Sequence, residues 1–449
     1  MHRKLYYIQT FGCQMNDHDS QVLAGMLEEL GYAQANAPEE ASIILLNTCC
    51  VRGNAENRLY GHLGNLKPLK EANPGLILGV CGCMVQQASE REKLENEYPY
   101  VDLVIGTHNI HRLPVLLSMV MQGQRVFEVW DENKEGIPED LPILRPESHH
   151  ALVTIMYGCN NFCSYCIVPH VRGRERSRKP EDILREIRNL ADAGVSEITL
   201  LGQNVNSYGK DLEADIDFSR LLAMVNEVPG IKRIRFTTSH PKDLSPSLIQ
   251  AMKNLEKVCE HLHLPVQSGS TRILQKMNRK YTREDYLNLV RSLREAIPDI
   301  ALTTDIIVGF PGETEEDFLD TVSLVREVGY DGAFTFIYSP RIGTAAASYP
   351  DHVPEEEKKD RLYRLNEVVN AFAYEANKQL LGSIQEILVE GPSEKSAAIY
   401  QGRTGSNKLV HFELPATMTV KPGQELSLRI VEAKTWTLTG EVVEKDFKS

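Results

Sequence analysis

A chain of 449 residues, 42% hydrophobic and 25% charged, is long enough for two or three domains that bury cores of their own. Nine cysteines are too sparse for a secreted disulfide scaffold, Met1 to Gly12 holds no apolar segment of signal-peptide length, and the longest strongly apolar run, Leu113 to Met121, falls short of the ~20 residues of a membrane span. A cytoplasmic protein without a membrane segment is expected, and the 62 acidic against 49 basic side chains leave any nucleic-acid site to local charge.

From the N-terminus, Leu5 to Gln9, Ile43 to Asn47, Leu76 to Val80 and Asp102 to Ile105 read as short buried strands, with helix-like stretches such as Asp19 to Leu30 and Ala55 to Lys70 between them. This is the rhythm of an open, mostly parallel α/β sheet. Each of the first three strands runs into a cysteine, at Thr10-Phe11-Gly12-Cys13, Asn47-Thr48-Cys49 and Cys81-Gly82-Cys83. Ligands of such sheets gather at the carboxyl ends of the strands, so the spacing predicts that these cysteines converge on one edge as a three-thiolate cluster site. Cys81 lies on the same face of an extended strand as Cys83 and rivals it as third ligand; Cys50, if the chain is still extended there, points away from the side of Cys49.

After a linker over 121–144, the run Ala151 to Met156 reads as a strand and Pro180 opens a helix, which places Cys159-Asn-Asn-Phe-Cys163-Ser-Tyr-Cys166 on a strand-to-helix loop. The spacing C-x3-C-x2-C gives an iron–sulfur cluster three thiolates where four are usual, leaving one iron open for chemistry. With Tyr165 beside Cys166 the pattern resembles the radical S-adenosylmethionine (radical SAM) superfamily, in which SAM chelates the open iron and is cleaved to a 5′-deoxyadenosyl radical. The alternatives are a zinc knuckle or three unrelated thiols. Downstream, Arg172, Arg174, Arg176 and Arg178 alternate, which puts them on one side of an extended segment as a phosphate track, or else as a solvated charge run broken by Glu175.

From Ala151 onward strand and helix alternate through Glu197 to Leu201, Ile231 to Phe236, His261 to Leu264, Leu302 to Val308 and Gly332 to Tyr338, which predicts a βα barrel, complete or partial. Gly202-Gln203-Asn204, Gln267-Ser268-Gly269 and Asp305 through Gly312 fall at strand ends, where glycines admit a ligand and the polar side chains offer it hydrogen bonds. Pro311-Gly312-Glu313-Thr314 reads equally as a turn before a helix. Cys259 is expected in the core. Past the helix Pro354 to Gln379, short alternating runs with Gly and Pro turns predict a small β-barrel, a module that binds RNA or serves only for packing.

Over essentially its whole length the chain resembles the methylthiotransferase family, at Phe11-Gly12-Cys13-Gln14-Met15-Asn16, Asn47-Thr48-Cys49-Cys50-Val51-Arg52, Gly82-Cys83-Met84, Pro169-His170-Val171-Arg172-Gly173 and Leu264-Pro265-Val266-Gln267-Ser268-Gly269. The resemblance implies a methylthiotransferase N-terminal domain over 1–120, a radical SAM core over 145–378 and a TRAM domain over 379–449. It also implies two [4Fe-4S] clusters, an auxiliary one on Cys13, Cys49 and Cys83 and a radical SAM one on Cys159, Cys163 and Cys166, with Cys50 and Cys81 as bystanders. Tyr165, Gly202, Gln203, Asn204, Gln267, Ser268 and Asp305 are then expected at SAM, and Arg172, Arg174, Arg178, Arg403 and Lys408 at RNA.

Within the family, Thr237-Thr238-Ser239-His240-Pro241, Lys276-Met277-Asn278-Arg279 and Gly402-Arg403-Thr404 with Asn407 to Phe412 look like the tRNA branch. Arg341-Ile342-Gly343-Thr344-Ala345 departs from it, lacking prolines after Arg341 and Thr344. That branch adds a methylthio group to carbon 2 of N(6)-isopentenyladenosine at position 37, beside the anticodon, with SAM as both methyl donor and radical source. The implied partners are the tRNA anticodon loop and an electron donor such as flavodoxin or ferredoxin, the enzyme acting as a monomer. The alternatives are a threonylcarbamoyladenosine tRNA or a ribosomal-protein aspartate as substrate and, in another class, an iron–sulfur electron carrier or RNA-binding regulator.

Overall fold

The computed structural model describes residues 4–50, 53–132, 136–145, 149–213, 215–416 and 418–443. Val51 and Arg52 of the second family motif lie outside the described residues. Contacts divide the chain into two units: residues 1–146 with 156–162 and 166–178, and residues 147–155, 163–165 and 179–449.

In the first unit six parallel strands form one sheet: β1 (Leu5–Phe11), β2 (Ala33–Gln34), β3 (Ile43–Thr48), β4 (Ile77–Gly82), β5 (Leu103–Ile105) and β6 (Val126–Glu128), in the order β2-β1-β3-β4-β5-β6. Every residue of β3 and β4 is buried, as expected of parallel strands covered on both faces. One face packs on helices α1 (Gln14–Glu29) and α4 (Leu113–Met121), through Leu23, Leu27, Leu116 and Leu117 against Leu45 and Leu103. The other packs on α2 (Gly53–Ala72) and α3 (Ala88–Glu97), through Leu59, Leu63 and Leu94 against Ile44, Leu46, Leu78 and Val80. Beyond the expected strands the sheet gains two edges, β2 and β6, whose two and three residues are too short for a periodic signal.

The second unit begins with six parallel strands: β7 (His150–Thr154), β10 (Glu197–Leu201), β11 (Arg233–Phe236), β12 (His261–His263), β13 (Ala301–Val308) and β14 (Gly332–Ile337); the intervening β8 (Met156–Tyr157) and β9 (Arg176–Ser177) pair antiparallel in the first unit. Ladders join β7-β10-β11 and β12-β13-β14, and the parallel bridge Ile234 to Val258 links the two sets. The result is an open βα barrel. Between its strands run α6 (Pro180–Asp192), α7 (Phe218–Asn226), α8 (Pro246–Asn254), α9 (Thr271–Lys276), α10 (Arg283–Ala296) and α11 (Glu315–Val328), numbered after the short α5 (Val168–Val171) of the first unit. Thr282 and Thr314 start α10 and α11 with full capping boxes, so Pro311 to Thr314 takes its bland role as a turn into a helix. Arg341–Ala345 closes as a turn without its prolines, by two hydrogen bonds from Thr344 to the carbonyl of Arg341 and a left-handed Gly343.

After α12 (Glu355–Lys378), β15 (Ile384–Ser393), β16 (Ser396–Thr404), β17 (Leu409–Glu413), β18 (Glu425–Ala433) and β19 (Thr437–Val442) close a five-stranded barrel around Ile387, Val389, Val410, Phe412, Leu426, Leu428 and Leu438. This barrel seats on the amino ends of the βα strands. Arg233 and Arg235 donate to the carbonyls of Arg403, Thr404 and Gly405, Lys232 pairs with Glu425, and Lys408 Nζ lies 2.6 Å from Asp331 Oδ1 just before β14. Among the described residues no helix is long and apolar enough to cross a membrane.

Lys408 and Asp331 keep only 11% and 18% of their side chains exposed, so breaking the pair strands a half-desolvated charge. Lys408→Met is expected to destabilise the seating by about 1–3 kcal/mol and to speed amide exchange across β17, measured by hydrogen-exchange mass spectrometry; unchanged exchange there would show that the ion pair holds nothing.

Candidate metal and cofactor site

In the first unit the strand order reverses direction between β1 and β3, the place where a doubly wound sheet opens a crevice at its carboxyl edge. Cys13 follows β1 and Cys49 follows β3 at that point, and Cys83 follows the neighbouring β4. Two fully buried amides set the first turn of α1 against the end of β3: Asn16 Nδ2 donates to Asn47 Oδ1 at 3.0 Å, and Asn47 Nδ2 donates back to the Asn16 carbonyl at 2.9 Å. Gly12 makes room, since a Cβ there would come within 2.7 Å of Asn16 Oδ1.

The three thiols meet. Hydrogen bonding with Cys49 brings Cys13 down to about 6 and Cys83 well below the ordinary thiol range, while Cys49 itself is held up. Arg172 adds its charge to both lowered thiols and donates from Nε to Cys83 Sγ at 3.2 Å. Cys13 is exposed; Cys49 and Cys83 are buried.

The two neighbouring cysteines depart from the expected alternation. Gly82 sits at φ +99°, where a Cβ would strike Asn47 Oδ1 and the Thr48 carbonyl at 2.4 Å. That left-handed step breaks the period of two, so Cys81 does not share the face of Cys83: it packs into the α1 side of the sheet, its thiol directed at the Leu46 carbonyl and pushed up by burial. Cys50 does not point away either. The chain bends after β3, and Cys50 packs with Cys83, Ile167 and Val171, donating its thiol proton toward Cys83.

The alternating arginines do not form one exposed track. Arg172 is buried and ion-paired to Asp19 at 2.7 Å, and Arg178 is buried against Glu139 at 2.5 Å. Arg176 is half-buried near Tyr157 and His108, and Arg174 alone of the four is exposed, stacked on Phe162 at 4.5 Å. The segment turns after α5 and is extended only at β9, so period-two logic fails before it starts. Lys408 is likewise committed to Asp331, and Arg403 pairs with Glu390 at 2.8 Å while staying half-exposed.

On the C-x3-C-x2-C loop, Cys159 and Cys163 are buried and Cys166 half-buried. The peptide N–H of Cys159 donates to the Gly173 carbonyl, and Gly158, at φ +75°, passes so close to the Arg174 carbonyl that a Cβ would meet it at 2.0 Å. In the second unit Ser164 is stitched to the carbonyls of Lys276 and Met277, and Tyr165 packs against Ile273, Met277, Phe310 and Tyr338. Arg279 is buried there. It donates to Cys163 Sγ at 3.4 Å, to the Tyr281 hydroxyl at 2.9 Å and to the Pro265 carbonyl at 2.8 Å. The sequence places this arginine only within the stretch Lys276-Met277-Asn278-Arg279 that resembles the tRNA branch, with no role at the cysteines.

Of the residues expected at SAM, Gly202, Gln203 and Asn204 follow β10, with Asn204 Nδ2 donating to Asp243 at 2.8 Å and its buried Oδ1 without a hydrogen-bond partner among the described residues. Ser239 Oγ after β11 and the Tyr338 hydroxyl after β14 are likewise buried without a partner among the described residues, so polar atoms open to a ligand stand at the carboxyl ends of three strands. Gln267 holds φ +71° and bridges to β13. Asp305 is half-exposed beside His263. Ser268 is different: it is fully buried against Thr321 and accepts the N–H of Ser270, which spends it on the turn before α9. Nearby, burial and then the Arg279 charge hold His240 neutral, down to about 2, while burial pushes Glu313 up to about 7. Cys259 is buried, as expected.

The donor set of the first unit is all sulfur, the ligand type of iron–sulfur clusters, and a cation already favours its thiolates. Among the described residues no group of three or more His, Cys, Asp or Glu is arranged to hold a metal ion as placed. It is the chemistry of the donor set, all sulfur beside a cation, that fits a sulfur-ligated cluster.

Family models match in three blocks: Uncharacterized protein family UPF0004 over residues 5–106, the Radical SAM superfamily over 153–325 and the TRAM domain over 378–443. Among solved structures, the radical SAM methyltransferase TsrM of Kitasatospora setae aligns with TM-score 0.56 and 13% identity, covering 77% of this chain and 74% of its own, a likeness of fold alone. Much nearer in sequence are the tRNA-2-methylthio-N(6)-dimethylallyladenosine synthases of Acetivibrio thermocellus, 57% identical over 98% of this chain and 91% of that protein, and Clostridium perfringens, 56% identical over 99% of both. At that identity over nearly its full length the chain belongs to the MiaB-like methylthiotransferases, enzymes of the radical SAM superfamily that use an iron–sulfur cluster and S-adenosylmethionine.

Proposed function

We propose that this enzyme is a tRNA methylthiotransferase that acts on carbon 2 of N(6)-isopentenyladenosine beside the anticodon and carries two [4Fe-4S] clusters, one on Cys13, Cys49 and Cys83 and one on Cys159, Cys163 and Cys166. The observation that carries the reading is the gathering of three distant thiols at one sheet edge, each following a different strand. An electron-carrying or purely RNA-binding protein has no use for a second three-thiolate set with an exposed member, whereas sulfur insertion needs a sulfur source besides the radical source. The names of the 53–57% identical relatives support the same substrate.

When bound, the clusters supply the electron that cleaves SAM and the sulfur that is transferred. The chain's own part is binding and orientation. Asn16 and Asn47 fix the turn that carries Cys13, and Gly82 turns Cys83 toward Cys49. Asn204, Ser239 and Tyr338 offer unpaired polar atoms to a bound cofactor, and neutral His240 beside Tyr281 adds no charge there. A base in an anticodon loop is reachable because it can be splayed out without melting a duplex.

The test is mass spectrometry of nucleosides from isopentenylated tRNA incubated anaerobically with reconstituted, reduced protein and SAM, with 5′-deoxyadenosine followed in the same tube. A methylthio adduct on the isopentenylated nucleoside is expected; 5′-deoxyadenosine without that adduct would move the substrate to threonylcarbamoyladenosine tRNA or a protein. In the same assay Cys13→Ala is expected to keep SAM cleavage while losing about a hundredfold or more of the adduct, and Cys163→Ala to lose both. Equal loss of cleavage in the two variants would refute the division of labour between the cysteine sets.

A further inference from the structure

Each cysteine set has a buried guanidinium against one of its sulfurs, Arg172 on Cys83 at 3.2 Å and Arg279 on Cys163 at 3.4 Å, but the two cations are compensated differently. Arg172 gives Nη2 to Asp19 Oδ2 at 2.7 Å, with 5% and 11% of the two side chains exposed, so the pair brings no net charge. Arg279 gives Nε to the neutral Tyr281 hydroxyl and Nη2 to the Pro265 carbonyl, and among the described residues no carboxylate pairs with it. Its full positive charge stays buried beside Cys163.

An N–H donated to a ligating sulfur, and a cation held near it, favour the more negative reduced cluster. In a water-poor interior an uncancelled charge acts more strongly and over a longer reach than a cancelled one. Resting on the two-cluster reading above, we propose that Arg279 and Asp19 are positioning residues that set the two reduction potentials apart: Arg279 raises that of the cluster on Cys159, Cys163 and Cys166, whereas Asp19 cancels the same effect of Arg172 on the cluster of Cys13, Cys49 and Cys83. Each reduction adds one electron from a low-potential one-electron donor, dithionite in the test, and breaks no covalent bond.

The measurement is a redox titration followed by electron paramagnetic resonance on full-length, reconstituted protein. Each cluster is read by itself in a background where the other set of three cysteines is alanine, with iron and sulfide counted first. Arg279→Met is expected to lower the midpoint of its cluster by at least a tenfold change in the oxidised-to-reduced ratio, about 59 mV for one electron, and Arg279→Lys to restore most of that shift by restoring the charge. Asp19→Asn, which is isosteric and guards against a folding defect, is expected to raise the other midpoint by a similar factor. Midpoints unmoved in proteins that hold their clusters would overturn this proposal alone. Failure of either alanine background to bind a cluster would overturn the two-cluster reading, and this proposal with it.

Discussion

Two buried amides hold the cysteine edge of the first unit together. Asn16 and Asn47 sit 31 residues apart, one on the first turn of α1 and the other on β3, and they exchange hydrogen bonds where neither is exposed. Buried amides left unpaired would cost about 1–3 kcal/mol each, so the helix start has one register against the sheet. Ser20 extends the network, accepting from Asn47 and meeting Thr10 at 2.7 Å on β1. Cys13 is the residue just before that helix and Cys49 lies two residues past Asn47; their meeting follows from the amides rather than from any attraction between thiols.

A small group of arginines in this acidic chain is turned inward. Arg172, Arg178, Arg233, Arg235, Arg279 and Arg361 are buried or nearly so, and each donates to a carbonyl, a carboxylate or a sulfur. Guanidinium suits this work because its planar fork serves several acceptors at once and it stays charged when desolvated. The pairs that seat the small barrel, from Lys232, Arg233, Arg235 and Lys408, fall at the amino ends of the βα strands. That is the end where such barrels keep their stability, while the carboxyl end keeps the unpaired polar atoms of Asn204, Ser239 and Tyr338. Architecture and chemistry thus occupy opposite ends of the same strands.

The sequence made the fold legible wherever a buried strand ran into a loop with a chemical signature. Strands ending at Cys13, Cys49 and Cys83, the alternation of the βα segment and the short runs of the terminal barrel all produce periodic patterns that survive without tertiary information. What was not legible depends on backbone dihedrals and on long-range partners. Alternation placed Cys81 with Cys83, and only the left-handed Gly82 separates them; extension turned Cys50 away, and only the bend after β3 brings it to Cys83. The arginines after Cys166 carried the pattern of an exposed track, yet Asp19 and Glu139, 153 and 39 residues distant, claim two of them. No local rule contains those partners.

Arg279 stands in a stretch legible by resemblance, but its place beside Cys163 was not legible. The C-x3-C-x2-C motif advertises itself by spacing, because its three cysteines share one loop. A cation that serves the cluster has no such constraint, since it needs only to arrive from any direction with its charge intact. Here it comes from the segment after α9, held by the Tyr281 hydroxyl and the Pro265 carbonyl, with Ser164 tying the cysteine loop to that same segment through Lys276 and Met277. Neutral partners fix its position without cancelling its field, as a carboxylate would. A buried cation anchored only by neutral acceptors is costly to fold, and the proposed tuning of a cluster on Cys163 gives that cost a purpose.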